Sequence, residues 1–107
     1  MIVSVPHRPL PSRTEDVAYL YCPGGYPAFP KEMRLQELRC IRYLGLSSHC
    51  IYPSVAPLAV GLGANMLEYH FMLTNEPSEL EENVSLNEFE FGCMVQSVRE
   101  AEALLGD

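Results

Sequence analysis

The sequence predicts an α/β domain in which parallel strands are joined by crossover helices. Short apolar runs of strand composition alternate along the chain with helical segments, and turns rich in proline and glycine separate them. Strands that alternate with helices pair in parallel through right-handed crossovers. A chain of 107 residues holds one domain with one modest core. The pattern is compatible with an open α/β sheet and with part of a barrel.

The first half of the chain is predicted to contain two strands and one helix. Residues 1–5 form a short apolar run, and a polar, proline-rich connection over 6–15 follows it. Residues 17–22 (VAYLYC) have strand composition and end in the turn 23–27 (PGGYP). Pro30 opens the predicted helix, in which Met33 is followed by apolar residues at three-residue steps: Leu35, Leu38, Ile41 and Leu44.

The second half predicts two further strands with a helix between them. The strand candidates are residues 43–49 (YLGLSSH) and 65–74 (NMLEYHFMLT). The apolar segment 55–62 reads as a buried helix, for which Ser54 is a suitable cap and Gly63 a suitable left-handed terminator. The chain would therefore have four strands.

The longest helix is predicted at the end of the chain. An acidic loop over 76–83 precedes it, and residues 85–88 (SLNE) have the pattern of a capping box. The helix is expected to run to Leu105 and to stop at Gly106.

Composition and charge exclude several classes of function. The formal net charge of −7, with seven scattered lysines and arginines, argues against a nucleic-acid partner. No apolar run is long enough to span a membrane, and residues 1–11 lack the pattern of a signal peptide. The four cysteines have no C-x-x-C spacing, so reduced thiols in a cytoplasmic protein are expected and a zinc site has no support.

Polar side chains gather on one face of two predicted strands. Strand alternation places Glu68 and His70 on one face of residues 65–74, and Ser47 and His49 on one face of residues 43–49. Both histidines come at carboxyl ends of strands, where α/β proteins place their sites. A single strand histidine is more often a structural group than a ligand. Two histidines and a carboxylate that converge favour a metal site more than one histidine does, but the structural role remains the stronger of the two alternatives, and both stay open.

Several short motifs occur in an order that resembles the N-acetylneuraminate (sialic acid) synthase family. That family carries, late in its barrel, a Tyr-Pro turn, a strand ending in G-x-S-D-H, a strand ending in E-(K/R)-H-F, and a Ser-Leu helix start. The chain has GYP at 25–27, GLSSH at 45–49, EYHF at 68–71 and SL at 85–86. The resemblance covers about residues 17–106. It implies a partial TIM-type (β/α) barrel, about its last four strands, with residues 1–107 as a single half-barrel domain.

The resemblance also implies an activity and a metal. Members of the family condense phosphoenolpyruvate with N-acetylmannosamine, an amino sugar, and release phosphate. By this resemblance His49 and His70 would be the ligands of a divalent ion, Mn²⁺ or Mg²⁺, and imidazole ligands favour manganese. Such an ion would act as a Lewis acid on the aldehyde of the sugar.

Four other residues take roles from the same resemblance. Ser47 matches a serine that contacts phosphoenolpyruvate, and Tyr26 matches a tyrosine that lines the sugar site. Glu81 falls where the family has an aspartate that binds sugar hydroxyls. Glu68, the candidate catalytic residue, matches the acidic residue of E-x-H-F and would orient its neighbours.

The chain also departs from the family. Ser48 replaces the aspartate of S-D-H, and Tyr69 replaces a basic residue. A whole barrel needs eight strands and about 250 residues, and the family's lysines that bind phosphoenolpyruvate lie in the first half. The expected assembly is therefore a homo-oligomer or a pair with a complementary half-barrel chain.

Three functions remain open at this point. The first is one half of a synthase that is completed by a missing or partner half. The second is a truncated, non-catalytic remnant that folds as an oligomer and at most binds metal or sugar. The third is an unrelated small α/β domain.

Overall fold

The computed structural model describes residues 1–6, 16–76, 78 and 82–106, which form a parallel sheet flanked by helices. In the described part of the chain the sheet has five strands in the order β1-β2-β3-β4-β5: Ile2–Val5, Ala18–Tyr21, Tyr43–Ser48, Met66–Phe71 and Ser85–Leu86. Each neighbouring pair is parallel. Strands that follow one another in sequence order form the wall of a (β/α) barrel, whereas a doubly wound sheet reverses its order at a switch point. The partial barrel is thus confirmed as the fold.

Among the described residues, three α-helices and one 3₁₀ helix connect or follow these strands. Helix α1 spans Pro30–Met33, α2 spans Val55–Gly61 and α3 spans Glu88–Leu105, and the 3₁₀ helix spans Leu35–Arg39. Helices α2 and α3 pack against each other. The core lies between the sheet and these helices, and its buried members include Leu46, Ala59 and Cys50 together with Tyr19, Tyr21 and Tyr43.

The predicted continuous helix from Pro30 to Leu44 is wrong. Arg34 has a left-handed backbone (φ 43°, ψ 52°) that separates α1 from the 3₁₀ helix. Ile41 is 92% exposed, and Leu44 already belongs to β3. The apolar residues recur at steps of three, which is the period of a 3₁₀ helix and falls short of the 3.6 residues of an α-helical turn.

The predicted count of four strands and the predicted capping box are also wrong. Ser85 and Leu86 form the short strand β5, which pairs with His70 and Phe71 of β4. Helix α3 is capped two residues later by Asn87, whose side-chain oxygen accepts a 2.8 Å hydrogen bond from the Glu90 backbone N–H. Asn87 and its N3 residue make the same kind of capping box as the predicted pair, so the backbone groups of 85–86 remain available to the sheet.

Gly45 allows β3 and β4 to approach closely on the inner face of the sheet. A Cβ atom at this position would lie 1.8 Å from the backbone oxygen of Met66, a distance no side chain tolerates. Gly45 and Met66 are paired in the β3–β4 register, so this glycine fixes the spacing of the two strands just before their functional ends.

A two-histidine site at the carboxyl end of the sheet

Two imidazole rings and one phenol ring meet at the carboxyl end of the sheet. His49 directly follows β3 and His70 lies in β4, and their ring centroids are 5.1 Å apart. The Tyr26 ring lies 4.9 Å from the His49 ring and 5.8 Å from the His70 ring, centroid to centroid. The side chains that the sequence placed on one face therefore converge.

The turn after β2 brings Tyr26 to the two histidines. Gly25 has a positive φ of 99°, and the Tyr26–Pro27 peptide bond is cis. The Ala28 backbone N–H donates a 3.0 Å hydrogen bond to the His49 carbonyl oxygen, which ties the turn to the end of β3. Tyr26 itself remains 54% exposed, so its ring can be reached from outside.

Ser47 and Glu68 form a hydrogen-bonded pair. Each lies two residues before one of the two histidines on the same face of its strand. They are direct partners in the β3–β4 register, and the Ser47 hydroxyl donates a 2.6 Å hydrogen bond to Glu68 Oε1. Ser47 is buried, whereas the Glu68 side chain is exposed on the inner face. A short hydrogen bond to a carboxylate is of the charge-assisted type, which holds the hydroxyl in one rotamer.

Cys22, which follows β2, interacts with His49 of the ring cluster and with Ser47 of the Ser47–Glu68 pair. Its Sγ atom lies 3.9 Å from His49 Nδ1, and the thiol also interacts with the Ser47 hydroxyl. Burial raises the pKa of Cys22, the nearby Glu68 charge raises it further, and the hydrogen bond with Ser47 partly opposes these effects. Cys22 therefore stays a neutral thiol near pH 7.

The two histidines suit a divalent ion with an open coordination sphere. Imidazole nitrogens bind such ions at about 2.1 Å, and two rings that share one ion have centroids roughly 5 Å apart, as His49 and His70 do. Among the described residues no group of three His, Cys, Asp or Glu side chains is placed to hold a metal. An ion held by these two histidines would take its remaining ligands from water or substrate oxygens.

The sequence matches the NeuB family over residues 8–107. The chain belongs to the NeuB family. It is 34% identical over 100 residues to the pseudaminic acid synthase of Campylobacter jejuni, a match that covers 89% of this chain and 29% of the relative. It is 29% identical over 93 residues to the N-acetylneuraminate-9-phosphate synthase of Drosophila melanogaster, covering 81% of this chain and 25% of the relative.

Solved structures of the NeuB type have the same fold. The spore coat polysaccharide biosynthesis protein SpsE of Bacillus subtilis superposes with a TM-score of 0.73 at 31% sequence identity, over 83% of this chain and 27% of SpsE. The chain thus spans less than a third of the length of the relatives it matches. The resemblance to sialic acid synthases is confirmed at the level of the family.

The structure brings together five of the six residues proposed from the NeuB resemblance. They lie on three neighbouring segments of one sheet end: Tyr26, Ser47, His49, Glu68 and His70. Glu81 lies outside the described residues. The roles of these residues remain predictions.

Sequence reasoning missed Cys22 as a member of the site. Cys22 is one of four cysteines whose spacing carries no signal of a site. Cys22 comes two residues after Leu20, so strand alternation places both on the inner face, and it precedes Tyr26 by four residues. This position is the signal that could have identified it.

Two departures from the family have visible consequences. The Ser48 hydroxyl, at the position of the missing aspartate, interacts with the backbone of Cys50, to which it donates a 3.0 Å bond. Tyr69, in place of a basic residue, faces α3 beside Phe89 and Met94, where it lines a cavity of about 430 Å³. Neither side chain points into the site.

Within the described ranges, the helices include none long and apolar enough to cross a membrane.

Proposed function

We propose that this chain is the C-terminal part of a sugar acid synthase barrel of the NeuB family. It would supply the sugar-aldehyde side of a condensation between phosphoenolpyruvate and an N-acetylated aldose of the N-acetylmannosamine type. The observation that supports this most directly is the convergence of Tyr26, His49 and His70 next to the Ser47–Glu68 pair.

Each side chain has a distinct part in this reaction. His49 and His70 would hold a divalent ion, which supplies Lewis-acid polarisation of the aldehyde oxygen when bound. Ser47 would donate a hydrogen bond to phosphoenolpyruvate in place of the one it donates to Glu68 in this structure, and Glu68 would orient that hydroxyl until the substrate binds. The exposed ring of Tyr26 would pack against the sugar and place its aldehyde carbon next to the enol carbon.

The open edges of the sheet indicate what completes the site. A (β/α)₈ barrel needs eight strands and the described sheet supplies five, which leaves three. Two copies of the chain would supply ten strands, twice five, and so do not match an eight-stranded barrel. We therefore favour a complementary (βα)₃ segment, from the same longer polypeptide or from a separate one, over a homo-oligomer of half-barrels.

The complementary segment also has to bring positive charge. Lys31 is the one lysine of the sequence, and it is exposed on α1. Phosphoenolpyruvate carries a carboxylate and a phosphate, whose charges need cationic or backbone N–H partners. The added strands would thus carry lysines or arginines at their carboxyl ends.

Reconstitution tests this proposal. The chain would be co-expressed with the first three βα units of a NeuB-family synthase, purified as a complex, and supplied with phosphoenolpyruvate, N-acetylmannosamine and Mn²⁺. Phosphate release that requires the sugar and is abolished by His70→Ala would support the synthase. A complex of the right mass that binds Mn²⁺ but releases no phosphate with any N-acetylated aldose would contradict it and favour the non-catalytic remnant. The replacement of the family's aspartate by Ser48 is the observation in favour of that alternative.

A further inference from the structure

Two hydrogen bonds hold the segment that joins the turn after β2 to helix α1, residues 25–33. The Ala28 backbone N–H donates a 3.0 Å hydrogen bond to the His49 carbonyl oxygen. The buried Tyr21 hydroxyl donates a 2.8 Å hydrogen bond to the Met33 carbonyl oxygen. These two bonds fix the middle and the end of the segment to β3 and β2.

The Glu32 side chain reaches back over the first part of the segment. Its Oε1 atom accepts a 2.9 Å hydrogen bond from the Phe29 backbone N–H. In the other direction, the Glu32 backbone N–H donates a 2.8 Å hydrogen bond to the Phe29 carbonyl oxygen. A glutamate at the third helical position that accepts from the residue before the helix is one half of a capping box, and it fixes how the chain enters the helix.

The second carboxylate oxygen of Glu32 lies against Gly25. A Cβ atom at residue 25 would lie 2.7 Å from Glu32 Oε2 and 3.0 Å from the Pro27 carbonyl oxygen. Gly25 also has a positive φ of 99°, a conformation that favours glycine. The glycine therefore leaves room for the carboxylate, which contacts the chain at Gly25 and at Phe29.

Tyr26 lies between these two points of contact. Its ring centroid is 4.9 Å from that of His49 and 5.8 Å from that of His70. Because the Tyr26 side chain is more than half exposed, its place against the histidines depends largely on the backbone that carries it. That backbone is the stretch that the Glu32 carboxylate spans.

We propose that Glu32 is a positioning residue that holds the turn 25–29 closed and so keeps the Tyr26 ring against the two histidines. Gly25 has the matching part, because any side chain there would displace the carboxylate. The inference rests on the proposed function in one respect, namely that Tyr26 would pack against the sugar. The ring contact itself needs neither a metal ion nor a substrate.

NMR of the chain without metal or substrate measures this contact. Nuclear Overhauser effects (NOEs) between ring protons report the contacts of Tyr26, His49 and His70, and Tyr26→Leu assigns them. We expect Glu32→Ala to lose the NOEs from Tyr26 to both histidines. The NOE between His49 and His70 should persist, because β3 and β4 place these two rings. The Phe29 amide should exchange with solvent about 5-fold faster or more, the factor that corresponds to the loss of one hydrogen bond.

Two further variants separate the reach of Glu32 from other effects. Glu32→Gln should restore the ring contacts, because its amide oxygen can accept the same hydrogen bond from Phe29. Lys31→Ala is the matched control, since Lys31 is an exposed charged residue of the same short helix, and it should leave all three ring contacts unchanged. Should Glu32→Ala lose its folded amide spectrum, Glu32→Asp keeps the charge but is one methylene shorter, and it is expected to lose the same NOEs.

Unchanged NOEs from Tyr26 to the histidines in folded Glu32→Ala would overturn the proposal. Loss of the His49–His70 NOE together with them would also overturn it, because Glu32 would then support the whole sheet end and not the turn. Failure of Glu32→Gln to restore the contacts would do the same. Because no metal or substrate is present, an inactive reconstituted complex would contradict the proposed function and leave this result standing.

Discussion

Ser47 donates a 2.6 Å hydrogen bond to Glu68 Oε1 across the β3–β4 pair, and the two residues are also direct partners in the register of the sheet. A hydroxyl that is buried and a carboxylate that is exposed thus share one bond at the edge of the candidate site. This pair belongs to the sheet and to the site at once, so its loss should affect both stability and binding.

Removal of the Glu68 carboxylate should destabilise the fold modestly. Glu68→Ala leaves the buried Ser47 hydroxyl without this acceptor, and we expect the free energy of unfolding to fall by about 1 kcal/mol. Urea denaturation measures it. Glu76→Ala is the control, because Glu76 is also an exposed glutamate and its change should stay within about 0.5 kcal/mol. Equal effects of the two substitutions would show that the bond contributes nothing.

Gly45→Ala should be among the most damaging single-methyl changes in the chain. The added Cβ would lie 1.8 Å from the Met66 backbone oxygen, so β3 and β4 would have to separate. We expect a loss of at least about 3 kcal/mol, or no folded chain, in the same urea experiment.

Gly61→Ala is the matched control for this prediction. Gly61 is in α2 and has open space where a Cβ would be, so alanine should stabilise the helix by about 0.5 to 1 kcal/mol. Tolerance of alanine at Gly45 would mean that the strands are not held at the spacing described.

We expect the folded chain to lose stability in strong alkali, because the partly buried Tyr69 must then ionise. Burial raises the pKa of Tyr69 from its ordinary value of 10.0 to about 12, and the hydrogen bond with Ser48 opposes this only in part. A raised pKa means that its contribution is fully present below pH 10 and is lost as the pH rises through about 12.

Urea unfolding of the chain and of Tyr69→Phe between pH 9 and pH 12 measures this contribution. The loss of stability should be smaller in Tyr69→Phe by on the order of 2 kcal/mol, because phenylalanine has no proton to lose. Parallel pH profiles for the two proteins would show that Tyr69 is not buried against α3 as described.

The start of α3 should respond to acid through Glu88. Thr74 donates hydrogen bonds to both carboxylate oxygens of Glu88, from its backbone N–H (3.1 Å) and from its hydroxyl. The hydrogen bond from the Thr74 hydroxyl is the largest cause of a lowered pKa of Glu88. A lowered pKa means that this link is present above the ordinary value of 4.5 and is lost as the pH falls through the lower, folded-state value.

An NMR titration of the Thr74 amide follows that link. Its midpoint should lie below pH 4.5 in the unmodified chain, and the Glu88 midpoint should move up towards 4.5 in Thr74→Val. A Glu88 midpoint that is the same with and without the Thr74 hydroxyl would contradict the contact.

Much of the fold follows from local sequence, and the errors have local causes. Strand alternation places Ser47, His49, Glu68 and His70 on one face, which agrees with the Ser47–Glu68 pair of the β3–β4 register and with the 5.1 Å between the centroids of the two histidine rings. The prediction of one continuous helix after Pro30 is wrong because apolar residues at every third position are typical of a 3₁₀ helix as well as of an α-helix. Strand β5 was missed because two residues carry no periodicity, and their pairing with β4 is a long-range contact.

The arrangement of the site depended more on tertiary contacts. The convergence of the histidines could be predicted from parallel strand ends, since these meet at one edge of a sheet. The contact between Cys22 and His49 could not, because it depends on the relative shift of β2 and β3, where the register is irregular at Tyr19 and Leu20.

The most direct test of the two-histidine site is a Mn²⁺ titration of the purified chain, followed by electron paramagnetic resonance or calorimetry. His49→Ala and His70→Ala would be measured beside it, with circular dichroism to verify that each is folded. We predict saturable binding of one ion that either substitution abolishes. A folded chain that binds no Mn²⁺, or that binds it equally well without His49 and without His70, would contradict the assignment of these histidines as metal ligands.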